Sequence, residues 1–117
     1  MKKILIAEDN DSNYLLMTYI LKKHHECIRA LNGQEAIQMA AKEKPDLIFM
    51  DLKMPILDGL TATKKIKSKY ATLPIIALTA NAFDTDREAA MAAGCDDFLS
   101  KPVSGQKCLE IIDKYTL

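Results

Sequence analysis

Four apolar runs in this chain end on side chains that can do chemistry. Leu5-Ile6-Ala7 leads into Glu8 and Asp9, and Leu47 to Met50 leads into Asp51. Ile75 to Leu78 leads into Thr79, and Phe98-Leu99 leads through Ser100 into Lys101 and Pro102. Three carboxylates, a hydroxyl and an amine form a set suited to phosphoryl chemistry. Crowded carboxylates repel one another unless a cation lies among them. A hard cation such as Mg²⁺ takes oxygen ligands, commonly one or two carboxylates plus phosphate. A lysine ammonium serves as a point charge for phosphate. Asp51 closes the most apolar run and is the candidate nucleophile, since a carboxylate can attack phosphorus and form an acyl phosphate.

Each residue also has a plainer reading. Asp51 could be a turn or capping residue, Glu8-Asp9 part of a solvated acidic loop, Lys101 a surface lysine, and Thr79 an ordinary strand threonine. The chemical reading is favoured because all four run ends are equipped together. Lys101 also precedes a proline, which biases its backbone to extended geometry and allows a cis peptide; either form holds the amine in a fixed place.

These groups meet only if the runs are parallel strands of one sheet, where ligands sit beyond the carboxyl ends. The rest of the sequence supports this. Apolar runs alternate with helix-like stretches about five times, the pattern of βαβ units. Strands are expected at residues 3–7, 27–30, 47–50, after Pro74, and at 97–99. The first helix should start near Asp11 or Ser12, both good N-caps, with Leu16 and Ile20 facing inward at i, i+4 spacing. Asn32-Gly33 turns into a second helix whose Ala36, Ile37 and Ala40 face in, and Lys44-Pro45 stops it. A third helix follows Asp58-Gly59 with Leu60, Thr63 and Ile66. A fourth covers residues 85–93, with Gly94 as the residue after its C-cap. A fifth starts near Ser104 and buries Leu109 and Ile112.

A length of 117 residues corresponds to one domain, 49% hydrophobic and 27% charged. Sixteen basic side chains balance sixteen acidic ones, so there is no basic footprint for nucleic acid and no polybasic patch for a membrane. No apolar stretch approaches the ~20 residues needed to span a bilayer, and Met1-Lys2-Lys3-Ile4 enters a strand without a signal peptide. Cys27, Cys95 and Cys108 show no metal-ligand spacing and read as reduced small hydrophobes of a cytoplasmic protein.

Glu8-Asp9, Asp51-Leu52-Lys53-Met54-Pro55 with Asp58-Gly59, Thr79-Ala80 and Lys101-Pro102 together resemble the receiver domain of two-component response regulators. The resemblance spans essentially the whole chain, residues 1–117. It implies a single (βα)₅ flavodoxin-like three-layer sandwich, an α/β fold with a parallel five-stranded sheet in the order 2-1-3-4-5. It implies that Asp51 is the phosphoacceptor, taking its phosphoryl group from a phosphohistidine. Asp9, Asp51 and the Lys53 backbone carbonyl would bind Mg²⁺ or Mn²⁺ directly, and Glu8 through water. Glu8 stands where aspartate is commoner. Thr79 would be the switch hydroxyl, Lys101 the phosphoryl-pairing lysine, and Phe98 the aromatic switch, unless it is a plain core aromatic. Lacking a hydroxyl, Phe98 excludes any signalling that needs a tyrosine hydrogen bond. Lys53 and Asn81 occupy positions that tune phosphoryl lifetime.

Glu8-Asp9-Asn10 with Asn13, and the run from Ala77 to Ala82, are similar to receivers of hybrid histidine kinases and phosphorelays. The implied partner is a histidine kinase or histidine phosphotransfer domain. The implied output is a change in the face made by the fourth helix, fifth strand and fifth helix, which can also pair two copies once phosphorylated. Such a domain accepts and slowly loses its own phosphoryl group and is not otherwise an enzyme. Two alternatives use the same fold or chemistry. A phosphatase of the haloacid dehalogenase type needs a second aspartate two residues after the nucleophile, where this chain has Lys53. A receiver used only for docking, without phosphorylation, usually lacks one of the acidic or lysine residues found here. Nucleotide or flavin binding lacks a glycine-rich phosphate loop after the first strand.

Overall fold

The structure, a computed structural model, describes residues 1–80 and 84–116. Strands and helices alternate as Lys3–Ala7 (β1), Asp11–Leu21 (α1), Glu26–Ala30 (β2), Gly33–Glu43 (α2), Leu47–Asp51 (β3), Gly59–Lys69 (α3), Ile75–Thr79 (β4), Asp84–Ala93 (α4), Asp97–Ser100 (β5) and Gly105–Tyr115 (α5). All strands pair in parallel, in the order β2-β1-β3-β4-β5. This is the flavodoxin-like order that the resemblance implied.

The runs form strands because both of their faces are covered. Successive side chains on a strand point to opposite faces. Ile4, Ile6, Leu47, Phe49, Ile76 and Leu78 therefore pack with Met17 and Leu21 of α1 and Cys108, Ile111 and Ile112 of α5. Leu5, Ala7, Ile48, Met50, Ile75 and Ala77 pack on the other face with Ala36 and Ala40 of α2, Ala62 and Ile66 of α3, and Ala90 of α4. Every residue of β3 is buried. Fully burying a side chain such as Phe49 contributes about 1.5–3 kcal/mol. Register then sets the site: Ala7 lies beside Met50 and Asp51 beside Leu78, so the strand ends line up along one edge.

Two expectations for α1 are corrected. Its N-cap is Asn10, whose Oδ1 accepts the Asn13 N–H at 3.0 Å, rather than Asp11 or Ser12. Its buried stripe is Met17, Thr18 and Leu21 rather than Leu16 and Ile20; Leu16 is exposed and Ile20 only half-buried. In α5, Leu109 is half-buried, and Cys108, Ile111 and Ile112 form the buried stripe. Gly94 has φ +112° after the last turn of α4, as expected of its position.

Candidate functional site

The carboxyl ends of β1, β3, β4 and β5 converge on one acidic pocket. Glu8 follows β1 and is fully buried. Its N–H donates to Ala30 O at 3.1 Å and its Oε2 accepts the Asn10 N–H at 3.3 Å, which turns the chain into α1. Asp9 is exposed beside it. Carboxylate oxygens of Glu8, Asp9 and Asp51 all lie within 4.8 Å of one another, a cluster that can hold a metal ion.

Lys101 answers this negative charge. Its Nζ donates to Asp51 Oδ2 at 2.8 Å and lies 3.0 Å from Glu8 Oε1. The Glu8 contact is an ion pair rather than an aligned hydrogen bond, since Oε1 has no well-directed donor. The Lys101 N–H donates to Thr79 O at 2.7 Å, and the Lys101–Pro102 peptide is cis. The Lys53 N–H donates to Asp51 Oδ1 at 3.1 Å. Asp51, Lys53, Thr79, Ala80, Asp86 and Lys101 line a cavity of about 210 Å³. Thr79 Oγ1 is buried there without a hydrogen-bond partner among the described residues. A buried hydroxyl left unpaired is costly, so this oxygen is suited to an incoming polar group. A cavity of about 560 Å³ lies at the other end of the sheet against Lys44, Lys69 and Tyr70. It is larger, but it gathers no carboxylate cluster.

The electrostatics are those of a crowded acidic site. Burial, followed by the hydrogen bond with Asp51, pushes Glu8 up from 4.5 to about 7, against the pull of Lys101. Burial alone would lower Lys101, but its hydrogen bond to Asp51 and its close pairing with Glu8 outweigh it and its pKa is raised. Between pH 4.5 and about 7 the folded, metal-free domain holds a proton on Glu8 that the unfolded chain has released. Stability must therefore fall as pH rises across that window. Urea titrations in chelator, comparing wild type with Glu8→Gln, should show the variant gaining on wild type between pH 5 and pH 7.5. A difference that stays flat or reverses contradicts the shift. The thiols stand apart from this chemistry: burial pushes Cys95 up to about 11 and Cys108 up to about 12, and raises Cys27. Protonated thiols are poor nucleophiles.

The sequence-derived residues Glu8, Asp9, Asp51, Lys53, Thr79 and Lys101 thus come together. Phe98 does not face the carboxylates. It is half-buried against the core shared with α3 and α4, with the Arg87 guanidinium 5.2 Å from its ring centre. Asn81 lies outside the described residues. Two contributors escaped sequence reasoning. Asp86 reaches the cavity from α4. Arg29 donates from Nε to Glu8 O at 3.0 Å, pairs with Asp11 at 2.9 Å and stacks 4.5 Å from the Tyr14 ring centre, bracing the acidic loop. A charged residue within the otherwise apolar run Cys27-Ile28-Arg29-Ala30 was the available signal.

A parallel α/β sandwich in the order β2-β1-β3-β4-β5 is the flavodoxin-like fold, and here an acid-rich pocket lies at the carboxyl edge of its sheet. The family model of the response regulator receiver domain matches residues 4–113, and the chain belongs to that family. It is a receiver domain of two-component and phosphorelay systems. Hybrid signal transduction histidine kinase G of Dictyostelium discoideum is 44% identical over 97% of this chain, which spans 4% of that kinase. The polar-differentiation response regulator DivK of Brucella anthropi is 38% identical, over 97% of this chain and 95% of DivK. Among solved structures, the receiver of sensor histidine kinase PA1611 from Pseudomonas aeruginosa has magnesium coordinated in its active-site cleft. It superposes with a TM-score of 0.90 at 34% identity, covering 98% of this chain and 97% of the other. The Ssk1 receiver of Saccharomyces cerevisiae, crystallised with the histidine phosphotransfer protein Ypd1, gives a TM-score of 0.91 at 33% identity, with coverage of 98% and 88%. No helix among the described residues is long and apolar enough to cross a membrane.

Proposed function

We propose that residues 1–117 form one receiver domain in which Asp51 accepts a phosphoryl group from a phosphohistidine. A carboxylate oxygen of Asp51 forms the new P–O bond as the P–N bond breaks and its electron pair returns to the imidazole. Transfer of this kind depends on positioning and charge stabilisation more than on covalent help. The observation that carries the reading is Lys101, whose one ammonium bridges Glu8 and Asp51. In that place it balances the acidic pocket before transfer and can pair with a phosphoryl oxygen after it.

Asp9, Asp51 and the Lys53 carbonyl would hold Mg²⁺ or Mn²⁺, with Glu8 acting through water. The close carboxylate set and its hard oxygen donors fit such an ion. Bound there, the ion would neutralise the carboxylates and withdraw charge from the phosphoryl oxygens. Thr79, whose hydroxyl has no partner among the described residues, would turn to a phosphoryl oxygen. Its movement would free space for Phe98 and alter the α4–β5–α5 face, a two-state element biased by a local charge. Lys53 and Asn81 would tune how long the phosphoryl group lasts. Beyond accepting and slowly releasing this group the domain does no chemistry.

The donor is a histidine kinase or a histidine phosphotransfer domain. α1 begins two residues after Asp9 and exposes Leu15, Leu16 and Tyr19, an apolar surface beside the pocket suited to such a partner. The reading includes a cytoplasmic location, which the free cysteines suit, and a monomer that can pair through α4–β5–α5 once phosphorylated. Beryllofluoride, which imitates a phosphoryl group, should shift amide NMR signals of Asp51, Thr79 and Lys101 only when Mg²⁺ is present. A spectrum unchanged by both together removes the phosphoacceptor reading.

A further inference from the structure

The balance of sixteen bases and sixteen acids hides an uneven distribution. α3 carries Lys64, Lys65, Lys67 and Lys69 and no acidic residue. Cations in a last turn answer the helix dipole, but that effect falls off within the turn. It accounts for Lys67 and Lys69 and leaves Lys64 and Lys65 unexplained. Lys67 is engaged, since its Nζ donates to Asp96 Oδ2 at 2.8 Å. Lys64, Lys65 and Lys69 are exposed, as are Lys42 and Lys44 at the end of α2. None of these five pairs with a carboxylate among the described residues. The neighbouring acids are already held. Glu43 lies 3.4 Å from Lys3 Nζ, and Asp46 Oδ2 accepts the Lys3 N–H at 2.8 Å. A solvated surface mixes both signs of charge, whereas this one presents a positive field that draws negative charge.

The same two helices leave a groove between them. One part is the cavity of about 560 Å³ at the amino ends of β3 and β4. The other is a recess of about 210 Å³ between Ile37 and Ala41 of α2 and Lys65 and Ile66 of α3. Lys69 and Tyr70 border both, so the two adjoin. Ala40, Pro45, Leu73 and Pro74 give the larger part an apolar lining. Tyr70 is 37% exposed and offers its ring to an occupant. Volumes of this size and lining suit a ligand.

We propose that the seam between α2 and α3 docks an acidic protein segment, whose aliphatic or aromatic side chains enter the groove while its carboxylates meet the lysines. Charge and shape select this occupant. Arginine forks are the residues of choice for phosphates and nucleic acid, and no arginine borders either recess. A membrane surface takes up apolar side chains that protrude, whereas Tyr70 stands between two hollows. A groove between two helices admits a single chain segment anchored by a few side chains. The seam opens at the amino ends of the strands, and Asp51 stands at the carboxyl end of β3. A docked segment therefore leaves the acidic pocket open, and the inference stands or falls independently of the phosphoacceptor reading.

The probe is the peptide acetyl-Glu-Glu-Asp-Glu-Leu-Phe-Glu-Asp-Glu-Glu-amide, with a control carrying Gly-Ser in place of Leu-Phe. Binding is followed by calorimetric titration and by amide NMR, and folding by urea unfolding. Wild type should bind the probe, with shifts concentrated on Ile37, Ala41, Lys65 and Tyr70 and an affinity that falls as salt is raised. The control peptide should bind about tenfold more weakly, the scale of a lost interface anchor. Lys65→Glu combined with Lys69→Glu should weaken the probe by about tenfold or more, since like charges then face one another. Ala41→Phe, at an exposed position of α2, should fill the smaller recess and weaken binding without lowering the urea midpoint. Either variant decides the question if the other does not fold. No binding of the probe by wild type, or shifts confined to another surface, would overturn the inference. So would equal affinity for the control peptide, which would reduce the seam to a diffuse positive field. Tighter binding of duplex DNA or phosphatidylserine vesicles through the same lysines would assign the surface to that partner instead. Wild-type self-association abolished by the lysine reversals would assign it to a second copy.

Discussion

Lys101→Met is expected to destabilise the metal-free domain by about 3 kcal/mol at pH 8, the lower end for removing one partner of a buried ion pair. Methionine keeps most of the length of the side chain and removes its charge. Glu8 is fully buried and the Asp51 side chain is 7% exposed, so neither carboxylate can turn to water when the ammonium is gone. The size of the loss should depend on pH. Glu8 already titrates near 7 in the folded protein, because burial and Asp51 disfavour its charge. Without Lys101 its hold on the proton strengthens further. At pH 6 the variant can neutralise the pocket by keeping that proton, and the loss should shrink well below its pH 8 value. Millimolar Mg²⁺ should restore much of the stability at pH 8, because a cation again lies among the carboxylates. Urea unfolding at both pH values, with chelator and with Mg²⁺, measures all three effects. A loss below about 0.5 kcal/mol at pH 8, the range of an exposed pair, contradicts a load-balancing role for Lys101.

Gly59→Ala should be the second costly change, and its sign is informative. In an open helix, alanine stabilises relative to glycine by about 0.5–1 kcal/mol. Gly59 is the first residue of α3, after the Asp58 N-cap. Its missing Cβ would collide with the carbonyl of Asp51 and lie 2.9 Å from Leu52 Cα. All of these are backbone atoms of the strand end that presents Asp51, so no side chain can swing away. The clash should cost about 3 kcal/mol, the upper end for overpacking. It should also displace Asp51 and weaken Mg²⁺ binding, read by calorimetric titration. An alanine variant as stable as wild type, or more stable, shows that the approach of α3 to β3 is looser than described.

The site was legible because each of its groups stands at the end of an apolar run, and register in a parallel sheet brings run ends together. Spacing along the sequence therefore became proximity in space for Asp9, Asp51, Thr79 and Lys101. The orientation of α1 was not legible. Leu15, Leu16, Met17, Ile20 and Leu21 offer two i, i+4 stripes, Leu16–Ile20 and Met17–Leu21. Only packing against α5 selects the second. Asn10, Asp11 and Ser12 are consecutive capping residues, and the bond from Asn13 to Asn10 decides among them. Arg29 and Asp86 escaped notice because neither belongs to a run end. Arg29 comes from an edge strand and Asp86 from a helix, and their nearness to the pocket arises only when the layers assemble.

The central claim is tested most directly by treating the domain with acetyl phosphate and Mg²⁺, trapping the acyl phosphate with borohydride, and mapping the modified residue by mass spectrometry. One modification, at Asp51, absent from Asp51→Asn and from samples lacking Mg²⁺, is the predicted result. Stoichiometric labelling of Asp51→Asn at another residue, or no labelling of the folded wild-type domain, would contradict the account.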